Sequence, residues 1–212
     1  KSRLYLSFPN MEQNAQNLHA LQMLFFMDDN QRQLRRFLKS QAQSSSLWDH
    51  PINKRWLDKI DFDTKNWLQG IEWQESINDK TYNISLQREA LKILQMGSLV
   101  GSCYGIGGMY AESAAAVLLD SNKQVYFMYD ENGRFIARQQ VAIDVNKQLA
   151  CFDVYPTDCP PELKMIFIRF NQALAQKLEL EFCQDSEPEI DFLLAQSMWG
   201  DFTIDSEDIE EE

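Results

Sequence analysis

The sequence predicts an α+β fold: an N-terminal helical annex, a small antiparallel sheet built from a three-stranded meander and a hairpin, helices covering it, and an acidic tail. Three observations predict it. Leu18, Leu21, Leu24, Phe25, Leu34, Phe37 and Leu38 recur at spacings of three and four, the helical period. Residues 124–155 alternate apolar and polar around two turn signals. From Gln184 onward there are 11 acids and no base. The 212 residues include 13 Phe, seven Tyr and five Trp, which is enough apolar bulk for a real core and excludes a disordered or disulfide-stapled chain.

Within the annex, residues 1–70, the cluster Asp28-Asp29-Asn30 breaks one helical stretch into two, because these side chains compete for backbone hydrogen bonds. Gln41 to Ser46 reads as a polar linker. Pro51 suits the first turn of a further helix, and Asp63 caps a short one that stops at Gly70. The core domain, residues 71–183, opens with IEWQESI and TYNISLQ around Asn78-Asp79, a hairpin. A helix from Glu89 to Gln95 stops at Gly97. Five of the eight glycines then fall within residues 97–108, ahead of the small-residue helix MYAESAAAVLLD.

The meander comes next as QVYFMYD, RFIARQQVAID and QLACFDVY, with turns at Glu131-Asn132-Gly133 and Asn146-Lys147. Alternation puts Val125, Phe127, Phe135, Ala137, Val141, Phe152 and Val154 on an apolar face against the helices. The other face mixes Tyr126, Met128, Arg138, Gln140, Cys151, Asp153 and Tyr155. It is either a solvated surface with an Arg138–Asp153 cross-strand pair or a binding surface. Pro160-Pro161 opens a long helix to about Leu178, and LEFC offers a last strand.

Charge is distributed unevenly. The net charge is −12, but residues 1–177 hold 19 acids against 20 bases. The acidity therefore belongs to the end of the chain, and the nearly neutral body disfavours nucleic-acid binding. The first 60 residues carry nine bases against five acids. Four of those bases, Arg32, Arg35, Arg36 and Lys39, form one stripe opposite Leu34, Phe37 and Leu38. The stripe is either a solvated helix face or a docking site for an acidic segment or RNA backbone.

Chemistry has few candidates. Four cysteines without a C-x-x-C pair, and only two histidines, predict no metal site and no cofactor. Cys103 is the candidate nucleophile, since a cysteine just before a helix has its thiolate favoured by the macrodipole. The order of cysteine, helix and antiparallel strands resembles transglutaminase-like acyl-transfer folds, which place their base on a strand after the nucleophile. No histidine follows Cys103, so the plainer alternative is a small cysteine in a glycine turn. The glycine loop also offers a phosphate nest, although its G-x-x-x-G-x-G-G pattern is neither nucleotide fingerprint. His19 reads as a core residue and His50 as a turn residue.

LQMGSLVGSC and AVLLDSNKQVYFMYDENGRFIAR, with HPINKRWL upstream and LLAQSMWGD downstream, resemble an uncharacterised bacterial C-terminal domain family over about residues 48–200. The cysteine-helix-hairpin order is also faintly similar to PcfJ-like proteins of mobile elements. After Cys103 this chain is the more glycine-rich. The resemblance implies the C-terminal part of a larger bacterial protein and supplies no activity.

The sequence thus predicts a non-enzymatic interaction or regulatory domain, with cysteine acyl transfer at Cys103 as the alternative. Its binding residues are Arg32, Arg35, Arg36, Lys39, Arg138, Asp153 and Trp199. Its partner is another protein or the rest of a longer chain. No run approaches a membrane span, and reduced thiols predict the cytoplasm. In the tail, 184–212, Ile190, Phe192, Leu193, Leu194, Met198 and Trp199 stand among the acids. That pattern predicts a first half packed on the body and a mobile, partner-facing end from Ile204.

Overall fold

The computed structural model describes residues 7–8, 11–27, 29–40, 49–183 and 188–196. These residues form seven helices, numbered in chain order: α1 (Ala15–Phe26), α2 (Gln31–Ser40), α3 (Pro51–Lys59), α4 (Thr64–Gln69), α5 (Ala90–Leu94), α6 (Ala111–Leu119) and α7 (Pro161–Leu178). Five strands form one antiparallel sheet: β1 (Trp73–Ile77), β2 (Lys80–Leu86), β3 (Lys123–Asp130), β4 (Phe135–Ile143) and β5 (Leu149–Tyr155). Two compact units result. One draws on the chain up to Lys59, on Gln87–Lys123 and on the segment from Phe192; the other draws on Ile60–Leu86 and Gln124–Asp191.

In the first unit α1 begins at Asn14, whose side chain accepts the Asn17 amide at 2.8 Å and satisfies one orphan donor of the helix start. The predicted break between α1 and α2 falls where the acidic cluster stands. The helix α1 packs on α2 and α5, while α6 packs on α5 and α2. Every residue of α6 except Glu112 is buried. Its alanines and serine leave room for neighbouring backbones on all sides, which an amphipathic helix could not do. Buried Asn53 fixes α3 to the end of α6, donating to Leu119 O at 2.8 Å and accepting from Ser121 N at 3.1 Å. The predicted linker at 41–46 lies outside the described residues.

In the second unit Asp63 caps α4 as predicted, accepting the Asn66 amide at 3.0 Å. Gly70 ends α4 at φ 63°, and a Cβ there would lie 2.8 Å from Tyr126 Oη, so both conformation and space require glycine. The hairpin β1–β2 turns on Asn78 and Asp79 at φ 50° and 61°, the left-handed pair of a two-residue hairpin turn. Asp130 Oδ1 accepts Asn132 N and Arg134 N at 3.0 and 2.9 Å and shapes the β3–β4 turn. The predicted last strand reduces to a parallel bridge between Leu149 and Phe182.

The sheet differs from expectation in three ways. Hairpin and meander run on as one five-stranded ladder through a pairing the sequence does not name: β2 pairs with β3, Tyr82 opposite Asp130 and Leu86 opposite Tyr126, giving the order β1-β2-β3-β4-β5. The face expected to be open is covered. Tyr126 packs on Phe170 of α7 with centroids 4.6 Å apart, and Tyr126, Met128, Arg138 and Gln140 are all buried. Its opposite, carrying Phe127 against Phe135 at 5.0 Å, is buried at Val125 and Phe127 too.

Finally, the register slips between β4 and β5. Gln139 faces Val154 but Val141 faces Cys151, so Phe152 and Asp153 together oppose Gln140. Directly opposed residues share a face, so Cys151 lies with Val141 rather than across the sheet from it. A single extra residue reverses the alternation from that point on. Glu75 of β1 then ties the sheet to α7 through a short ion pair with Arg169. Arg169 holds the Glu75 carboxyl below its ordinary range.

Candidate functional site

The corner between α1 and α2 gathers the predicted cations. The stripe forms because α2 buries Leu34, Phe37 and Leu38, which turns Arg32, Arg36 and Lys39 outward and leaves Arg35 half-buried. No described carboxylate pairs with any of the four. The first turn of α2 also lacks an acid. Arg32 therefore stands at the positive end of the helix macrodipole, where a cation costs about 0.3–1 kcal/mol unless an anion joins it.

The last turn of α1, which precedes α2 in the chain, exposes two aromatic rings. Phe25 is 69% and Phe26 55% exposed, and the rings meet edge to face at 5.6 Å. Phe25 belongs to the apolar series that predicts α1, yet only its neighbours Leu21 and Leu24 turn inward. The Gln31 side chain donates to Leu24 O at 3.2 Å and fixes the corner. Asn30 anchors it from the other side. Its amide donates to Glu112 O at 3.0 Å and Gln196 O at 2.6 Å, and its Oδ1 accepts Gln196 N at 2.8 Å. Residues 192–196 thereby reach the start of α2.

The same segment is held a second time. Asp120, buried just beyond α6, accepts Leu194 N and Ala195 N on Oδ1 at 2.8 and 3.1 Å, and Leu193 N on Oδ2 at 3.1 Å. Lys123 Nζ closes the set at 2.7 Å from Oδ2 and 2.9 Å from Asn122 Oδ1, and both charged side chains are fully buried. With its lone pairs all engaged, Asp120 is a structural anchor and not a base. Sequence reading gives it no role beyond the end of the small-residue helix, because its amide partners lie more than 70 residues away along the chain.

The glycine loop is tightly folded. A Cβ on Gly97 would lie 2.1 Å from Tyr104 C, and one on Gly108 would lie 2.1 Å from Cys103 O. Close backbone approach therefore explains these two glycines. The amides of Ser102, Gly105, Gly108 and Tyr110 are spent on loop carbonyls at 2.9–3.1 Å, which withdraws them from an anion nest. Cys103 is half-buried here, eight residues ahead of Ala111, where α6 begins. The expected position at the helix N-terminus, where the macrodipole acts, is therefore not realised.

The loop does meet a histidine that sequence distance hides. His19 Nε2 lies 2.8 Å from Ser98 Oγ. Burial lowers the His19 pKa, which keeps the imidazole neutral near neutral pH. Its Nδ1 is buried without a partner, so no carboxylate orients the ring as a nucleophile's base requires.

The remaining predicted residues are scattered. Arg138 is 0% exposed, sits opposite Tyr155 in the register, and stacks its guanidinium over that ring at 4.4 Å. Asp153 is half-buried on β5. Trp199 and the predicted partner-facing end from Ile204 lie outside the described residues. Among the described residues no three metal-ligating side chains cluster, and no helix is long and apolar enough to cross a membrane. No protein-family model matches the chain, and no curated protein or solved structure shows significant similarity to it.

Proposed function

We propose that the chain is a non-enzymatic interaction domain, part of a larger bacterial protein, that docks an acidic, aromatic-containing segment of a partner protein on the α1–α2 corner. One observation carries the reading: one face of α2 carries four cations with no described carboxylate to neutralise them, and the helix just before it in the chain exposes Phe25 and Phe26. Cations alone would suit any polyanion. Exposed Phe25 and Phe26 add apolar area that an acidic peptide bearing Phe or Ile would bury, at about 25 cal/mol per Å². The four cysteines form no disulfide, which suits a reducing cytoplasm. The bacterial assignment rests on the family resemblance alone. Cysteine acyl transfer at Cys103 has less support, since the loop's histidine bonds Ser98 and lacks an orienting carboxylate.

The test is a fluorescence-anisotropy titration with a labelled acidic peptide interleaved with Phe and Ile, and with its neutral Asn/Gln counterpart. The acidic peptide binds the native chain, and binding is lost in the variant Arg32→Gln, Arg35→Gln, Arg36→Gln, Lys39→Gln and weakened by Phe25→Ser. Equal binding of the neutral peptide would overturn the reading. So would preferential binding of single-stranded RNA with a steep salt dependence, or of phosphatidylserine vesicles.

A further inference from the structure

The layer between α7 and the sheet holds a side-chain amide that no described contact uses. Gln140 of β4 is 0% exposed, and neither atom of its amide has a hydrogen-bond partner among the described residues. A buried donor or acceptor without a partner costs the full desolvation of that group, so such atoms are normally matched. We propose that Gln140 and Asn171 bind a small neutral molecule through a carboxamide-type edge, an N–H beside a C=O, held between β4 and α7. The site lies wholly within the second unit and is independent of the α1–α2 corner.

Backbone geometry places the two residues in one layer. The β3–β4 turn closes with Asp130 N donating to Arg134 O, so the paired strands that follow set Arg138 against Tyr126 and Gln140 against Gln124. Tyr126 packs on Phe170, which puts this face under α7. On α7, Asn171 is the one polar member of the buried stripe that includes Phe167, Phe170, Leu174 and Leu178. It is 5% exposed, and its Oδ1 has no hydrogen-bond partner among the described residues. Each helical residue turns the side chain about 100° further round the axis. Arg169 reaches Glu75 on β1 and Phe170 reaches Tyr126 on β3, so Asn171 turns onward to the side of β4 and β5.

The neighbours of Gln140 are engaged elsewhere. Gln124 donates to Trp67 O at 2.6 Å and accepts the Tyr126 hydroxyl at 3.2 Å. On the β5 side Gln140 opposes the bulge, where Phe152 O accepts the Gln139 side chain at 2.8 Å. What remains defines the guest. Gln140 Nε2 needs an acceptor, while Gln140 Oε1 and Asn171 Oδ1 each need a donor. A carboxamide edge supplies an acceptor and two N–H donors in one plane, whereas a carboxylate supplies no donor at all. Ala142, opposite Ala150 in the register, and Ala175, one turn from Asn171, keep the surrounding side chains small. Arg138, two residues from Gln140 on the same face, lies over the Tyr155 ring at 4.4 Å. Tyr155 is half-buried at the end of β5, which marks the way in from solvent.

The test is a heteronuclear NMR titration of the full chain with nicotinamide, which carries the edge, and with nicotinate, which has the same outline and lacks the amide donors. Nicotinamide at up to about 10 mM shifts the side-chain amide signals of Gln140 and Asn171 to saturation, and nicotinate binds at least about tenfold more weakly. Gln140→Met keeps the length of the side chain and removes both polar atoms. It weakens nicotinamide binding by at least about tenfold. It also raises the Tm of the ligand-free chain by about 2–4 °C, because an unmatched buried polar group gives way to an apolar one of similar shape. Asn171→Leu has the same two effects. A lower Tm in both variants would mean that the fold itself matches these atoms, and would overturn the inference. Gln140 and Asn171 signals unmoved at the highest nicotinamide concentration would overturn it as well, leaving internal water as their partner. So would nicotinate binding as tightly as nicotinamide, since recognition would then not run through the amide donors.

Discussion

Replacing Asp120 by alanine tests the anchor of the C-terminal segment most directly. In the native chain its two oxygens take three backbone amides and the Lys123 ammonium, with both charged side chains fully buried. The substitution leaves the ammonium without its charge partner, and breaking a buried pair from one side costs about 3–5 kcal/mol. The three amides lose their acceptor as well. Each buried unsatisfied donor costs about 1–3 kcal/mol, but residues 193–195 can peel into water and recover most of that. The net loss is about 4–6 kcal/mol, at the extreme end for a single substitution. For a chain of this length that corresponds to about 10–20 °C in Tm. The assay is urea unfolding followed by circular dichroism, with Lys123→Met and the double variant completing a cycle. Lys123→Met alone costs less, because the amides still solvate the carboxylate. The double variant recovers part of the loss, with a coupling of about 1–3 kcal/mol. If Asp120→Ala stays within about 1 kcal/mol of the native chain, the buried anchor is not formed and residues 193–196 are not part of the first unit.

Ending the chain after Asp185 strips Asp120 and Asn30 of their partners at 193–196 and lowers Tm by more than about 5 °C, whereas ending it after Ile204 shifts Tm by less than about 2 °C; differential scanning calorimetry distinguishes the two. Glu75 gives a pH signature. Its folded pKa lies below the ordinary 4.5, so the Arg169 contact stabilises the fold above that value and the contribution is lost as pH falls through the folded pKa. Urea midpoints of the native chain and Arg169→Gln should differ at pH 7 and converge toward pH 3; a constant gap would remove the ion pair as its cause. Cys159, pushed up to about 11 by burial, and Cys151, pushed up further, resist iodoacetamide at pH 7.5 in the folded chain. Cys103 reacts no faster than a small free thiol, and rapid modification with loss of function in Cys103→Ala would favour acyl transfer instead.

Local chemistry made much of the fold legible in the sequence. Asn78-Asp79 specify their hairpin because both tolerate positive φ. Asp63 and Gly70 mark the ends of α4 by cap chemistry, and Leu34, Phe37 and Leu38 set the buried face of α2. The features that stayed hidden depend on residues far apart in the chain. The β2–β3 pairing joins strands separated by α5, the glycine loop and α6, and nothing in either strand names its neighbour. The slip opposite Gln140 inserts one residue without any compositional signal, so period-two reading carried Cys151 to the wrong side. Phe25 has the helical spacing of a core residue and is nevertheless exposed. For the candidate site, the four cations were legible from their spacing alone. The Asn30 and Asp120 anchors were not, since each looks like an ordinary helix-end residue until its partners at 193–196 are known.

The contrast between the two kinds of charge in the first unit bears on where function lies. Where charge is buried, every group is matched: Asp120 has an ammonium and three amides, and Lys123 has two oxygens. A mismatch there would cost several kcal/mol, so the fold itself requires the pairing. On α2 the opposite holds. Four cations cost the fold little because water solvates them, yet like charges at i, i+3 and i+4 repel by a few tenths of a kcal/mol per pair, and Arg32 opposes the helix dipole. Stability alone would place an acid in that first turn, where Gln31 and Arg32 stand instead. A fold that needed only stability would have matched those cations in place, as it matches Lys123 at Asp120.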